Sequence, residues 1–411
     1  MGLSSILVAG LAGVTMFTGA STAAAATITV PSAQRPKAQM ANHTGWSGAE
    51  ASANPSNGDC VRYGTASNTT TSGSASNGGG SNGTSDNSWT DGYTAWVSSG
   101  TTAYSAHGKP ARARECSSGL NLGTQSALGF APSDVSSFET GTLFNLGRMV
   151  HRNNEITATN RWFRGDMNIQ FMDMNMTFKW RLNETPNNAE PSTNSANNDL
   201  LNFLNQTTEQ TFTSDGLTYT LVVKGFTNNG TDTSCPATIG SANPANQFST
   251  VETKVTNGCL WASVEQVRNV TVKKVVESPY GTAPSQNFAF TTTSSLAGSP
   301  WSAPGTASLA HNGFFTRKYN SGEAISITEE TQTAPWAFKS LACVDGAGAS
   351  IGTVTGQTVT IPAGSATSNA AAANITCTYT NTYTPRATLT LVKAVTSTGQ
   401  PAPWLRRPTG T

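Results

Sequence analysis

The stretch NVTVKKVVE, residues 269–277, decides the fold of the C-terminal part of the chain. Its apolar and polar residues alternate, which is the period of a β-strand with one buried face. Val270, Val272 and Val276 fall on one face of this strand, and Lys274 falls on the same face. A buried lysine without a partner is costly, so the pattern predicts a partner group close to Lys274.

Two later strands supply such groups by the same period. In AISITEET, residues 324–331, Glu329 shares a face with two isoleucines, and Glu330 points the other way. In NITCTYTNTY, residues 374–383, Asn381 shares a face with Cys377 and a tyrosine. Alternation therefore predicts that an amine, a carboxyl and an amide face the core of one small all-β unit.

This order of Lys, Glu and Asn on the first, middle and last strands resembles the prealbumin-fold domains, of SpaA/CnaB type, in Gram-positive surface proteins and pilins. The segments ITEE and YTNTY carry the resemblance. It implies an autocatalytic intramolecular isopeptide bond between Lys274 and Asn381, with Glu329 as the proton shuttle. The reaction needs a neutral amine and a protonated acid, and an apolar pocket favours both.

Other interpretations of the same residues stay open. Asn381 can be a strand-end residue that satisfies a turn, and Lys274 can extend along the sheet edge to water. Glu329 can form an ion pair with Lys274 and nothing more. The unit also resembles a subgroup from exported, actinobacterial-type proteins that relies on a disulfide, which implies a bond between Cys343 and Cys377.

The pattern of the first strand recurs in ATLTLVKAVTS, residues 387–397, where Lys393 takes the place of Lys274. We therefore expect one prealbumin-like domain over residues 269–384 and the start of a truncated second repeat over 385–411. Tandem repetition of such a unit is typical of a stalk or an array.

The region before residue 269 has strand-like runs separated by polar turns, which favours a β-sandwich. LFNLGRMVHRNNEI (143–156) and FSTVETKVTNGCLWASV (248–264) resemble segments of the choice-of-anchor modules of exported bacterial proteins. We expect this sandwich over residues 45–268, after an N-terminal lead at 27–44. The Gly/Ser/Asn-rich segment 64–92 predicts a long surface loop. The predicted fold class is all-β, an N-terminal β-sandwich followed by a prealbumin-like (Ig-like) β-sandwich repeat.

The N-terminus and the cysteines indicate export. The apolar run Ile6–Phe17 and the small residues near Ala24–Ala26 predict a signal peptide over residues 1–26, although no Lys or Arg precedes the run. An even number of cysteines in an exported chain indicates disulfides. Proximity in sequence favours three pairs: Cys60–Cys116, Cys235–Cys259 and Cys343–Cys377. No further apolar run is long enough to cross a membrane, so the mature chain is expected to lack a transmembrane segment.

Composition and motifs exclude several functions. Charged residues make up 11% of the 411 residues and the formal net charge is +1, so a nucleic acid is not an expected partner. No catalytic or phosphate-binding motif is present, and no His or Cys has zinc-ligand spacing. His151 is expected to make a structural hydrogen bond, with Glu184 as its partner. No cofactor or metal is expected, although a structural calcium site made of loop Asp and Asn oxygens stays open.

The sequence therefore predicts a secreted or cell-surface protein with a structural or adhesive role, a sandwich head on a cross-linked stalk. Its partner would be a host, matrix or glycan ligand, and association with a cell wall is an expectation, although the chain contains no LPxTG-like sorting motif. An alternative is a carbohydrate-binding module that stacks sugars on Trp89, Trp96 or Trp162. A glycan-acting enzyme is a third hypothesis, and its candidate carboxylates are Glu139, Asp166, Asp173 and Glu184.

Overall fold

The computed structural model describes residues 25–46, 60–67, 92–110, 125–157, 162–191, 194–296, 299, 307–364, 369–386 and 390–394. The apolar run of the predicted signal peptide, Cys116 and Trp89 lie outside these residues. Most of the predicted second repeat does as well, and its described residues 390–394 have no regular secondary structure.

The described chain is built almost entirely of strands. In the N-terminal region these are β1 (Thr27–Thr29), β2 (Lys37–Trp46), β3 (Arg62–Ser67), β4 (Thr101–His107), β5 (Lys109–Pro110), β6 (Ser126–Pro132), β7 (Ser137–Glu139), β8 (Phe144–Arg152), β9 (Ile156–Thr157), β10 (Trp162–Phe171), β11 (Met174–Asn183), β12 (Asp199–Phe203), β13 (Phe212–Ser214), β14 (Leu217–Gly230) and β15 (Gln247–Thr250). They continue with β16 (Val255–Glu277), β17 (Phe288–Ser294), β18 (Ala307–Leu309), β19 (Phe314–Asn320), β20 (Ile325–Glu329), β21 (Trp336–Val344), β22 (Thr353–Thr355), β23 (Thr358–Ile361) and β24 (Asn374–Tyr383). Short 3₁₀ turns lie at Ser32–Gln34, Ser195–Asn197 and Ala371–Ala373. None of the helical segments in the described residues is long and apolar enough to cross a membrane.

The N-terminal region is a β-sandwich, which we call the head. One sheet has the order β15-β12-β11-β10-β2. The other contains β13-β14-β16-β8-β6-β4-β3. Side chains from both sheets form one continuous apolar core, and its largest fully buried members are Trp180, Tyr219, Phe130, Phe163, Phe171 and Phe178. Burial of this apolar surface is the main term that stabilises the head.

Alternation and turn chemistry explain the hairpins of the head. The side chains of β11 alternate strictly between buried and exposed over most of the strand, as the sequence predicts. Met172 and Asp173 form the two-residue connection between β10 and β11, with φ of 50° and 63°. Asp215 and Gly216 connect β13 to β14, also at positive φ. Positive φ at both central positions matches the right-handed twist of the paired strands.

Two expectations about the head are corrected by the structure. Residues 27–44, expected as a lead, contribute β1 and most of β2, and β2 pairs with β10 inside the sandwich. Met40 and Ala38 are fully buried there, so this segment is part of the core. Residues 64–67, expected at the start of a surface loop, belong to β3 and pair with β4. The backbone N–H and C=O groups of these residues form hydrogen bonds with the neighbouring strand. A polar composition does not prevent such pairing.

The C-terminal region forms a second, smaller sandwich, which we call the second unit. One of its sheets has the order β18-β17-β20-β23-β22. It faces the strands β19, β21 and β24, which join the C-terminal half of β16. A separate apolar core lies between these layers, with Phe288, Phe290, Tyr319 and Tyr379 as its largest buried side chains.

A single strand connects the head to the second unit. The sequence suggests two short strands, GCLWASVEQV and NVTVKKVVE, but β16 runs through both without interruption. Its first half pairs with β8 and β14 of the head, and its second half pairs with β19 and β24. No Gly or Pro lies between Gly258 and Glu277, so nothing in the local sequence ends the strand.

Candidate functional site

The predicted amine, carboxyl and amide come from three strands of the second unit. Lys274 lies on β16, Glu329 is the last residue of β20, and Asn381 lies near the end of β24. β16 and β24 are parallel neighbours, and their register places Asn381 opposite Val276, two residues beyond Lys274. β20 belongs to the facing sheet, so Glu329 reaches the other two residues across the core.

The three side chains meet at one carboxylate oxygen. Lys274 Nζ lies 2.7 Å from Glu329 Oε1, and Asn381 Nδ2 donates a hydrogen bond of 2.8 Å to the same oxygen. The side chains of Lys274 and Glu329 are both 0% exposed, and Asn381 is equally buried. We call these residues the Lys–Glu–Asn cluster. Each of them lies on the buried face that alternation predicts.

The surroundings of the cluster are apolar. Lys274 Nζ lies 4.4 Å from the centre of the Phe288 ring, which is itself buried. Glu329 is paired with Phe290 in the register of β17 and β20. Burial lowers the pKa of Lys274 because the charged amine loses its hydration, while the hydrogen bond and charge of Glu329 oppose this shift. The site therefore favours an amine that gives up its proton more readily than an exposed lysine.

Two acceptor oxygens of the Lys–Glu–Asn cluster make no hydrogen bond to a described residue. Within the described residues, Asn381 Oδ1 and Glu329 Oε2 are buried and have no hydrogen-bond partner. Buried polar atoms without partners are uncommon in folded proteins and often mark a functional site. A half-turn of the amide about its Cβ–Cγ bond would bring Oδ1 to the carboxyl of Glu329, where a protonated acid could polarise the carbonyl.

A disulfide lies four residues from Asn381 on the same face of β24. Cys343 on β21 and Cys377 on β24 are direct register partners, and their Cα atoms lie 4.0 Å apart. Cys235 and Cys259 form the second disulfide that the described residues show, between the segment that follows β14 and the strand β16. Both match the pairing that sequence proximity favours. Cys60 is also disulfide-bonded, while Cys116 lies outside the described residues.

A second polar cluster lies in the core of the head, and sequence reasoning predicts only its pairing of His151 with Glu184. His107 Nε2 lies 2.6 Å from Glu184 Oε1. Ser126 Oγ lies 2.8 Å from the same Glu184 oxygen and 2.9 Å from His151 Nε2. Asp199 completes the group, since its carboxylate lies beside the Glu184 carboxylate and the His151 imidazole. The expected partnership of His151 with Glu184 thus runs through Ser126. The members of this cluster are far apart in sequence, so no spacing motif indicates that they lie together.

Burial dominates the electrostatics of this head cluster. It raises the pKa of Glu184 to about 7 and, together with the negative charge of Glu184, the pKa of Asp199 to about 9. It lowers the pKa of His107 and of His151 to about 3. His43, packed edge-on against His107, also has its pKa lowered by burial and then by the neighbouring imidazoles. At neutral pH these imidazoles are uncharged, and at least one proton is held by the carboxyl pair.

The remaining candidates are not brought together. Trp96 is 39% exposed on the head, whereas Trp162 is half-buried beside the Arg181 guanidinium. Asp166 accepts a hydrogen bond from Asn42, and Asp173 accepts one from Gln34. Glu139 lies on β7, away from both. The paired carboxylates in a cleft that a glycosidase requires are not formed by Glu139, Asp166 and Asp173.

The fold and the cluster define an all-β protein with a prealbumin-like domain. Residues 270–383 match the family model described as a prealbumin-like fold domain of SpaA type. This segment contains the whole Lys–Glu–Asn cluster and the Cys343–Cys377 disulfide.

Comparison with solved structures finds pilus proteins. A major pilin protein of Streptococcus pyogenes is 10% identical, with a TM-score of 0.19, and the match covers 46% of this chain and 67% of the pilin. Another major pilin of Streptococcus pyogenes is 11% identical, with a TM-score of 0.17, and the match covers 88% of this chain and 99% of the pilin. A pilus-presented adhesin is 9% identical, with a TM-score of 0.21 and coverage of 80% and 95%. No curated protein matches the chain.

Proposed function

We propose that the protein is an exported surface protein with a structural and adhesive role, in which the second unit is a covalently cross-linked stalk segment and the head is the part presented to a partner. The single observation that carries the proposal is the convergence of Lys274 and Asn381 on one buried oxygen of Glu329, at 2.7 and 2.8 Å. A buried ion pair with a neighbouring amide contributes little to stability compared with apolar side chains of similar volume. The arrangement fits a reaction better than a packing role.

The chemistry follows from one proton transfer. Moving a proton from Lys274 Nζ to Glu329 neutralises both buried charges and produces the two forms that the reaction needs, a nucleophilic amine and a carboxylic acid. The Nζ lone pair then attacks Cγ of Asn381 while Glu329 donates a hydrogen bond to the amide oxygen. Glu329 passes its proton to the departing nitrogen and takes one from Nζ. An amide bond forms between Nζ and Cγ, and one molecule of ammonia leaves.

Topology gives this bond a mechanical role. β16 and β24 are the first and last strands of the second unit, and they are parallel neighbours. A force applied through the chain on either side of the unit would therefore shear these strands past each other and break their ladder of hydrogen bonds. A bond from Lys274 to Asn381 would carry that force directly between the two strands, as suits a stalk.

The adhesive part of the proposal concerns the head. Tyr93 and Trp96 are 43% and 39% exposed and lie three residues apart on one edge segment. Exposed aromatic rings are the groups on which sugars stack, so this pair favours a glycan over other ligands of a surface protein. Binding to a glycan array that is lost in Trp96→Ala and retained in Trp162→Ala would support a carbohydrate-binding head. Absence of selective binding would leave the structural role alone.

Mass spectrometry tests the cross-link. We expect the intact reduced protein to weigh one ammonia molecule less than its sequence predicts, and proteolysis to yield a branched peptide joining the segments around Lys274 and Asn381. Asn381→Ala and Lys274→Arg should each restore the full mass, and Glu329→Ala should leave most of the freshly prepared chain at full mass because no acid assists the reaction. The matched controls are Asn374→Ala, Lys273→Arg and Glu330→Ala, whose residues are exposed on the same strands or directly beyond them. Full mass in the unsubstituted protein would overturn the proposal.

A further inference from the structure

The head cluster gathers metal-type ligands at one end of the sandwich. Glu184 directly follows β11 and Asp199 begins β12, and the pairing of Asn183 with Leu200 places the two carboxylates side by side. His151 comes from β8 in the facing sheet. One ligand atom from each of these side chains lies within 4.8 Å of the other two. The two sheets thus present an imidazole and two carboxylates to one buried point.

Hydroxyl groups hold the His151 ring at both nitrogens. His151 Nδ1 lies 2.7 Å from Thr250 Oγ1, and Thr250 Oγ1 lies 3.4 Å from the carbonyl oxygen of Asp199. His151 Nε2 lies 2.9 Å from Ser126 Oγ. These contacts fix the orientation of the imidazole, whichever nitrogen carries its proton.

One carboxylate oxygen of the cluster has no donor from another described residue. Ser126 Oγ donates a hydrogen bond of 2.8 Å to Glu184 Oε1 and lies 2.9 Å from His151 Nε2. Asp199 Oδ1 accepts from the Thr185 backbone at 2.8 Å, while the buried Asp199 Oδ2 accepts no hydrogen bond from a donor within the described residues. A buried carboxylate oxygen of this kind costs free energy unless a proton or a cation lies beside it.

We propose that His151, Glu184 and Asp199 form a binding site for a divalent transition metal of the zinc class. One imidazole nitrogen and two carboxylate oxygens are ligands that Zn²⁺ accepts, whereas Ca²⁺ is held by six to eight oxygens. Thr250 Oγ1, 2.7 Å from His151 Nδ1, orients the ring of His151, as the outer partners of metal-bound imidazoles do. His107 Nε2, 2.6 Å from Glu184 Oε1, positions that carboxylate.

The site joins segments that have no covalent link near it. A bound ion would tie β8 of one sheet to β11 and β12 of the other, and it would fix the connection between Glu184 and Asp199. The Glu184 side chain is 12% exposed, which gives a small ion a route to the site from solvent. Cys60, Cys235, Cys259, Cys343 and Cys377 are disulfide-bonded and do not compete for the metal.

Metal titration of the full chain tests the site. After removal of metals with a chelator, we expect isothermal titration with ZnCl₂ to show one equivalent bound per chain, with a rise in Tm that the chelator reverses. Asp199→Asn and Glu184→Gln should weaken binding by more than the roughly 10–100-fold that loss of an outer partner costs. Asp215→Asn and Glu209→Gln change exposed residues of the same types and should bind like the unsubstituted protein.

Cobalt provides a readout that does not depend on the variants folding. With Co²⁺ in place of Zn²⁺, the unsubstituted protein should show visible absorption bands of a low-coordinate N/O site, well above those of hydrated Co²⁺. Stoichiometric binding that persists in both Asp199→Asn and Glu184→Gln would overturn the proposal. Absence of stoichiometric Zn²⁺ binding together with a hydrated Co²⁺ spectrum would overturn it as well, as would selective binding of Ca²⁺.

Discussion

Lys274 and Asn381 lie on parallel neighbouring strands, and their side chains meet on the same oxygen of Glu329. Two features place them there. The two-residue period buries both side chains, and the parallel register offsets Asn381 from Lys274 by two positions, so each reaches diagonally towards the other. Glu329 then closes the triangle from the facing sheet. The relationship depends on strand pairing as much as on residue type.

The first prediction concerns the pH dependence of bond formation. In Glu329→Gln the hydrogen bond and charge that raise the pKa of Lys274 are gone, and burial alone acts to lower it. The amine is then neutral at lower pH, but no acid assists the leaving nitrogen. We expect slow bond formation whose rate rises with pH and levels off once Lys274 is neutral, below its ordinary pKa of about 10.4.

The measurement is the fraction of cross-linked chain, read by intact mass during incubation of Glu329→Gln between about pH 6 and about pH 10. Lys273→Arg in the same background is the control, since Lys273 is exposed on the opposite face of β16. A rate that falls as pH rises would contradict an amine nucleophile.

The second prediction concerns the Cys343–Cys377 disulfide. Its cysteines are 34 positions apart in sequence. In the chain-entropy model a loop of this length stabilises the folded state by about 3–4 kcal/mol. We expect Cys343→Ala/Cys377→Ala to lower the melting transition of the second unit in differential scanning calorimetry and to leave that of the head in place, because the two units have separate apolar cores.

The matched variant, Cys235→Ala/Cys259→Ala, removes the disulfide that joins the segment after β14 to β16. It should act on the head transition instead. Equal shifts of both transitions in either variant would show that the two cores unfold as one cooperative unit.

The sequence predicts the second unit well because each of its signals is local. Alternation along β16, β20 and β24 is enough to place Lys274, Glu329 and Asn381 on buried faces, and the burial of the three strands follows it. Their mutual distance could not be obtained in this way, because it depends on which strands are neighbours. The parallel pairing of β16 with β24 is a feature of the tertiary structure, and no sequence pattern indicates it.

Beyond the pairing of His151 with Glu184, the sequence does not predict the head cluster, for the same reason. His107, His151, Glu184 and Asp199 come from four strands or strand ends, in two sheets, and none lies at ligand spacing from another. The sequence does not predict the strand at 37–46 because β2 is rich in polar residues, and its partners, β10 and the segment 92–97, lie far away in the sequence. The sequence predicts two short strands where the structure has the single strand β16. The two halves of β16 pair with different strands, and this change of partners is a tertiary feature that the sequence pattern does not indicate.

The third prediction concerns alkaline pH. The pKa of Asp199 is raised by burial to about 9, so in metal-free protein the folded state holds a proton that the unfolded chain releases near its ordinary pKa. Stability from this group is present at low pH and is lost as pH rises through about 9. The buried imidazoles, with pKa values lowered to about 3 in the cases of His107 and His151, do not change charge in the folded state there.

We therefore expect the unfolding free energy of the head to fall between about pH 7.5 and about pH 9, by at most about 1.4 kcal/mol per pH unit for one proton. Urea titrations with chelator present would measure it. Asp199→Asn cannot ionise and should lack most of this slope, while Asp215→Asn should retain it. A slope unchanged by Asp199→Asn would assign the effect to another group.

The last prediction concerns the junction between the head and the second unit. Glu265 lies on β16 where the strand passes from one unit to the other, and its side chain is almost fully buried. It pairs with Lys224 of the head and accepts a hydrogen bond of 2.9 Å from the Gly322 N–H of the second unit. Gly322 has room for no side chain, since a Cβ there would lie 2.3 Å from Glu265 Oε1.

Removing the carboxylate in Glu265→Ala should therefore widen the range of angles between the head and the second unit. β16 still joins the two units. Loss of a buried charged partner costs about 1–3 kcal/mol. We expect small-angle scattering to show a broader distribution of interatomic distances, and limited proteolysis to become faster near residues 321–322. Glu277→Gln changes an exposed carboxylate on the same strand and is the control. If scattering from Glu265→Ala and from the control is the same, the continuous strand alone sets the geometry of the junction.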